Sequence, residues 1–191
     1  MAIYSSRKYR KIDQDAIQLR LDYRRYSKRL DVFGLAKQLG MLLIPYSALT
    51  PEQLKHIKKK SDKLNDGFSV IGRLKGEVRC YVLYNDCVSR DRQRFTIAHE
   101  IKHFIYGETD PDDEQEDMAN HFARYLLAPC CLVMPYVGYS PMDVAADFEI
   151  SFDAAKNALN AATNRILLGK SRLEEFERRF INEIKQFENE K

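Results

Sequence analysis

Two histidines four residues apart, His99 and His103 in the stretch RFTIAHEIKHF, constrain this chain more than any other feature. On an α-helix that spacing sets both imidazoles about 40° apart round the axis and one turn apart in height, where a single cation can bridge them. The helix is predicted independently of the histidines, because Ile97, Ala98, Ile101, Phe104 and Ile105 fall on the side of the wheel opposite them. One face then packs while the other is available to metal. Glu100 projects about 100° from His99, beside a bound ion instead of onto it, where a carboxylate can take a proton from water. This is the H-E-x-x-H arrangement for zinc.

A zinc ion that keeps one position open for water takes three protein ligands, so a third must be found. His103 is followed by Phe104 and Tyr106-Gly107, not by the G-x-x-H that completes a metzincin set, and the third ligand has to come from another element. Residues 110–129, DPDDEQEDMANHFARYLLAP, predict a helix with Asp110 as N-cap, Pro111 at the first helical position, Asp112 and Asp113 in the first turn and Pro129 as the stop. Its apolar stripe is Ala119, Phe122, Ala123, Leu126 and Leu127, and Glu116 shares that arc while Glu114 and Asp117 do not. A carboxylate aimed at a packed face has to be paired or metal-bound, since an isolated buried charge costs several kcal/mol. Asn120, one turn further on, is placed to accept the second ring N–H of a ligating histidine. The competing reading of the same residues is an amphipathic helix with two solvated histidines and a Glu116 salt bridge to Arg124.

The rest of the composition narrows the class. A chain of 191 residues with 45% hydrophobic content buries one sizeable core, with room for a small appended module. The net charge of +3 is too mild to argue for nucleic acid, because charges of both signs are spread along the chain. No apolar run reaches the roughly 18 residues of a membrane span, and MAIYSSRKYRK lacks the apolar core of a signal peptide, so a cytoplasmic protein is expected. Cys80 and Cys87 are isolated and Cys130-Cys131 adjacent, which is no disulfide framework and is read as reduced thiols. The zinc chemistry of deaminases is excluded, because Glu100 directly follows His99 and Pro129-Cys130-Cys131 lacks the P-C-x-x-C spacing.

Along the chain, residues 1–30 form a basic arm of nine Lys/Arg against three Asp, with a helix predicted over 13–29 docked through Ile17, Leu21 and Leu30. Asp31 caps a short helix through Leu39 that Gly40 stops, and Met41–Pro45 reads as a short buried strand. Pro51–Lys63 predicts a helix with an exposed lysine run and Leu54 and Ile57 inward. Phe68–Leu74 and Val78–Tyr84 alternate as a hairpin about Lys75-Gly76. After Pro129, Val144–Ser151 followed by Asp153–Thr163 resembles a helix-turn-helix whose second helix is capped by Ser151, yet that helix carries only Lys156 and Arg165 as bases. Ser171 and Glu174 predict a capping box for a last helix, whose stripe of Leu173, Phe176, Phe180, Ile184 and Phe187 needs the domain itself or a second copy of the chain as cover.

RFTIAHEIKHFIYGE followed by EDMANHFARYLLAP resembles the ImmA/IrrE family of metallopeptidases, small relatives of the thermolysin-like zinc peptidases. The likeness is close from Tyr84-Asn85-Asp86 to Pro129 and looser from Asp31 to Asn164. Ile101-Lys102 replaces the commoner Leu-Gly, and Ala128 stands where a Met often precedes the Pro. The resemblance implies that His99, His103 and Glu116 bind one zinc per chain and that Glu100 is the general base. It further implies that the strand Val78–Tyr84, through Val78, Cys80, Val82 and Tyr84, receives an extended peptide as an added strand. The substrate it implies is a helix-turn-helix repressor, which would make the chain an anti-repressor of a mobile element or a stress response. Tyr81, Tyr106, Tyr125, Tyr136 and His121 are the candidates for stabilising an oxyanion.

The expected fold is α+β: a sheet of about three strands packed on the two zinc-carrying helices, with a helical C-terminal third, as in a minimal zincin-like peptidase. The expected organisation is a basic helical arm over 1–30, a peptidase domain over 31–138 and a helical extension over 139–191. The alternative class is a non-catalytic, zinc-stabilised regulator that binds DNA or a repressor.

Overall fold

The computed structural model describes residues 7–60, 66–74 and 77–190. The fold is α+β, a three-stranded mixed sheet among helices with a helical C-terminal part. Two compact units divide the chain: Asp31–Ala119, and a second made from the stretch up to Leu30 together with the stretch from Asn120 onward.

In the Asp31–Ala119 unit, the Asp31 side chain accepts from Gly34 N at 2.9 Å and opens α1′s successor in sequence, the helix Val32–Gln38 (α2; α1 is Arg7–Asp22 of the other unit). Gly40 at φ +85° turns the chain after it, a left-handed conformation that glycine adopts without a Cβ penalty. Strand β1 (Leu42–Pro45) follows, then helix α3 (Pro51–Lys60), whose first turn is closed reciprocally by Thr50 and Gln53. The predicted continuation of α3 to Lys63 lies outside the described residues. Strands β2 (Gly67–Leu74) and β3 (Glu77–Tyr84) pair antiparallel with Phe68 opposite Leu83, as the alternation predicts, while their turn at Lys75-Gly76 is also outside the described residues.

Two expectations are corrected here. β1 runs parallel to β3, Leu42 opposite Tyr81 to Pro45 opposite Tyr84, and as an edge strand it is half-exposed instead of buried. The sheet order is therefore β1-β3-β2, so β3, the predicted substrate strand, is the central one. From Tyr81 to Tyr84 it is paired on both sides, which leaves no ladder groups there for a peptide to join. Val82 is wholly buried, Cys80 nearly so, and Tyr84 is engaged edge-on by Phe33. Among the described strands the outer edges belong to β1 and β2, and β3 is paired on one side only from Glu77 to Cys80.

Helix α4 (Arg90–Tyr106) packs on β2, β3 and α2. The fit is close: a Cβ on Gly67 would meet Leu83 O and Thr96 Cγ2 at 2.7 Å each. Ile97, Ala98 and Ile101 are fully buried as predicted, but Phe104 is half-buried and Ile105 exposed, while Glu100, Lys102 and His103 on other sides are buried too. Helix α5 (Asp113–Leu127) begins later than predicted. Asp112 is its cap, accepting from Gln115 N at 2.8 Å while the Gln115 side chain accepts from Asp112 N at 2.9 Å. That reciprocal pairing satisfies two end donors, and it displaces the predicted start at Asp110-Pro111.

In the other unit, α1 ends well before the predicted Arg29. Arg24 takes a left-handed φ of +50°, and the wholly buried Arg20 guanidinium donates to the carbonyls of Arg25, Ser27 and Leu126. Helix α6 (Cys130–Val133) leads to α7 (Pro141–Phe148), capped by Ser140, and α8 (Phe152–Leu167), capped as predicted by Ser151, with Glu149 at φ +52° between them. Helix α9 (Glu175–Asn189) is opened by Glu174 and Glu177, not by Ser171 and Glu174. Its Phe180 and Phe187 pack on Tyr26, and α1 lies along it, so the chain itself takes up this face. All four cysteines are free thiols, and no helix among the described residues is long and apolar enough to cross a membrane.

Candidate metal centre

The last turns of α4 and the first turn of α5, both within the Asp31–Ala119 unit, bring three donor atoms together. His99 Nε2 and His103 Nε2 are 2.9 Å apart, and Glu116 Oε2 lies 3.2 Å from the first and 4.0 Å from the second. A triangle with those sides has a circumscribed radius of about 2.0 Å, the length of a zinc–nitrogen or zinc–carboxylate bond. His103, Glu116 and His99 therefore already surround a point at ligand distance from all three. The chemistry of the donors agrees. His103 Nδ1 is 2.7 Å from Glu108 Oε2, a contact that suits the tautomer with its N–H at Nδ1 and its lone pair at Nε2, facing another imidazole and a carboxylate. Three such donor atoms facing one another can be held together by a cation, or by a proton on one of the imidazoles. Glu116, with 28% of its side chain exposed, rims the site instead of pointing into a core as predicted.

Glu100 is 6% exposed and accepts from Ser69 of β2. Burial pushes its carboxyl up from the ordinary value, aided by the Glu116 charge and opposed by the Ser69 hydrogen bond and His103. Its charge is felt in turn by Cys80, whose thiol burial and Glu100 together push up to about 11.

Asn120 is half-buried one turn beyond Glu116, and Glu108 lies against the second ring nitrogen of His103. Of the oxyanion candidates, His121 is held by Asp13 at 2.7 Å and lies about 140° round α5 from Glu116. Tyr125 donates to Glu177, and Tyr136 is engaged by Lys28 and Asp147. Tyr81 and Tyr106 remain in the unit that holds the three donors. Sequence reasoning missed Lys102 and Glu108. The signal was present in Lys102, a charge among Ile101, Phe104 and Ile105, which must find a partner when that helix is buried.

A helix-borne histidine pair and a carboxylate from a second helix, with a buried glutamate on the same helix as the pair, form a group that could hold a metal ion on an α+β scaffold. Residues 71–160, which include every one of these groups, match the family model of Peptidase_M78, the IrrE N-terminal-like domain. The match covers just under half of the chain, and the likeness is to that domain. Neither curated proteins nor solved structures give a match to the chain.

Proposed function

We propose that this chain is a zinc-dependent endopeptidase that cuts a helix-turn-helix repressor at one site, acting in the cytoplasm as an anti-repressor. The observation that carries the reading is the convergence of His99, His103 and Glu116 on a point at zinc–ligand distance, within a peptidase-family domain. When bound there, zinc supplies a Lewis acid for a peptide carbonyl and acidifies water. His99 and His103 offer Nε2 lone pairs and Glu116 one carboxylate oxygen. Glu100, buried and with a raised proton affinity, takes a proton from the attacking water and returns it to the leaving amine. Ser69 orients it by a hydrogen bond from β2, so an extended peptide added to the free edge of β2 would run beside the base. Val70 and Ile71 expose apolar surface on that strand, 41% and 56%, which suits such an addition.

A nucleic-acid role finds little support in the helix-turn-helix-like pair. Arg165, one of two bases on α8, is bound bidentately by Glu177 at 2.6 Å for each oxygen, which leaves Lys156 alone on that helix. The test is to incubate the zinc-loaded protein and its Glu100→Gln variant with the repressor encoded beside the gene and to map fragments by mass spectrometry. The wild type should cut once, and the variant should keep zinc while cutting about 10²–10⁴-fold more slowly. Equal relief of repression by both, without a cut, would make the protein a binding anti-repressor instead.

A further inference from the structure

Lys102 occupies the second variable position of His-Glu-x-x-His and is wholly buried. Its ammonium donates to both Glu108 oxygens, at 2.7 and 2.6 Å, and to the main-chain carbonyl of Gln115 at 3.1 Å. Those three acceptors use all three ammonium hydrogens. The same Glu108 Oε2 stands 2.7 Å from His103 Nδ1, and Gln115 directly precedes Glu116. One buried cation thus reaches one metal ligand through a carboxylate and the helical turn of another through a carbonyl.

The backbone sets this up. Gly107, at φ +68°, ends α4 in the left-handed region, with Glu108 N bonded to His103 O at 2.9 Å and Gly107 N to Phe104 O at 3.2 Å. This closing turn folds Glu108 back over the last turn of its own helix, against the imidazole and the ammonium.

We infer that Lys102 and Glu108 form a brace that pre-organises the metal centre. Glu108 fixes the tautomer and ring orientation of His103, and Lys102 ties that carboxylate to the first turn of α5, so that Glu116 is held at ligand distance. Both are positioning residues, and the inference rests on the reading of His99, His103 and Glu116 as a metal centre. A carboxylate behind a ligating histidine raises its basicity and lowers the cost of orienting it, and losing such a partner weakens metal binding about 10- to 100-fold. A salt bridge that served folding alone would leave metal affinity untouched once stability was restored.

The experiment uses the full chain, stripped of metal and titrated with zinc against a chromophoric chelator, beside urea unfolding of the metal-free forms. Glu108→Gln should weaken zinc about 10- to 100-fold and alter the visible spectrum of the cobalt-saturated protein, while Lys102→Met should weaken zinc less. The double variant Lys102→Met with Glu108→Gln removes both buried charges, so its metal-free urea midpoint should return to that of the wild type while its zinc affinity stays at least about tenfold low. It also carries the comparison where Glu108→Gln alone does not fold. Wild-type zinc affinity in the double variant overturns the brace while leaving the metal centre standing. Failure of the wild type itself to bind zinc overturns the underlying reading.

Discussion

Replacing Glu116 with Gln tests the three-donor geometry through stability instead of turnover. The substitution keeps the shape of the side chain and one carbonyl oxygen but removes the anion that lies 3.2 Å from His99 Nε2 and 4.0 Å from His103 Nε2. Loss of an anionic ligand should exceed the effect of losing an outer partner, so about 100-fold in zinc affinity is expected. A ligand that binds only the folded state stabilises it by about 2.7 kcal/mol at a concentration 100 times its Kd. At that same zinc concentration a 100-fold weaker variant would gain only about 0.4 kcal/mol. The difference, about 2.3 kcal/mol, corresponds to a zinc-induced rise in Tm roughly 5–9 °C smaller than in the wild type. Thermal unfolding with and without zinc, monitored by circular dichroism, reads this directly. Metal-free wild type and variant should melt within a degree or two of each other, since Glu116 is partly solvated. An undiminished zinc-induced shift in the variant would refute the assignment of Glu116 as a ligand.

Two further outcomes follow from contacts away from the metal. Glu177, wholly buried, accepts from both Arg165 nitrogens, the Tyr125 hydroxyl and Glu174 N, so Glu177→Ala should destabilise by about 3–5 kcal/mol in urea unfolding; a loss under about 1 kcal/mol would show that the pair is dispensable. The hydrogen bonds of Ser47 hold the Asp86 carboxyl below its ordinary 3.8, so Asp86 favours the folded state above that pH and loses its contribution as pH falls through the depressed value. Ser47→Ala should therefore flatten the acid limb of the stability–pH curve below about pH 4, and superimposable limbs for the two proteins would contradict it.

The histidine pair was legible in the sequence because its geometry is local. Four residues on a helix fix the relation of His99 to His103 whatever surrounds them, and the apolar stripe Ala119, Phe122, Ala123, Leu126 and Leu127 is buried as its 3.6-residue period requires. Ser151 and Asp31 were legible as caps for the same reason, since a side chain reaching an amide two or three residues on depends on little else. Tertiary structure decided what depends on partners distant in the chain. Alternation in Val78–Tyr84 identifies a strand but not its place, and only the arrival of β1 on its far side made it central and left β1 and β2 at the edges. Lys102 stands in sequence among apolar residues, but its partners are not legible there. Its burial became tolerable only when the turn at Gly107 returned Glu108 and the start of α5 brought the Gln115 carbonyl, because a charge leaves water only where other groups replace its hydration.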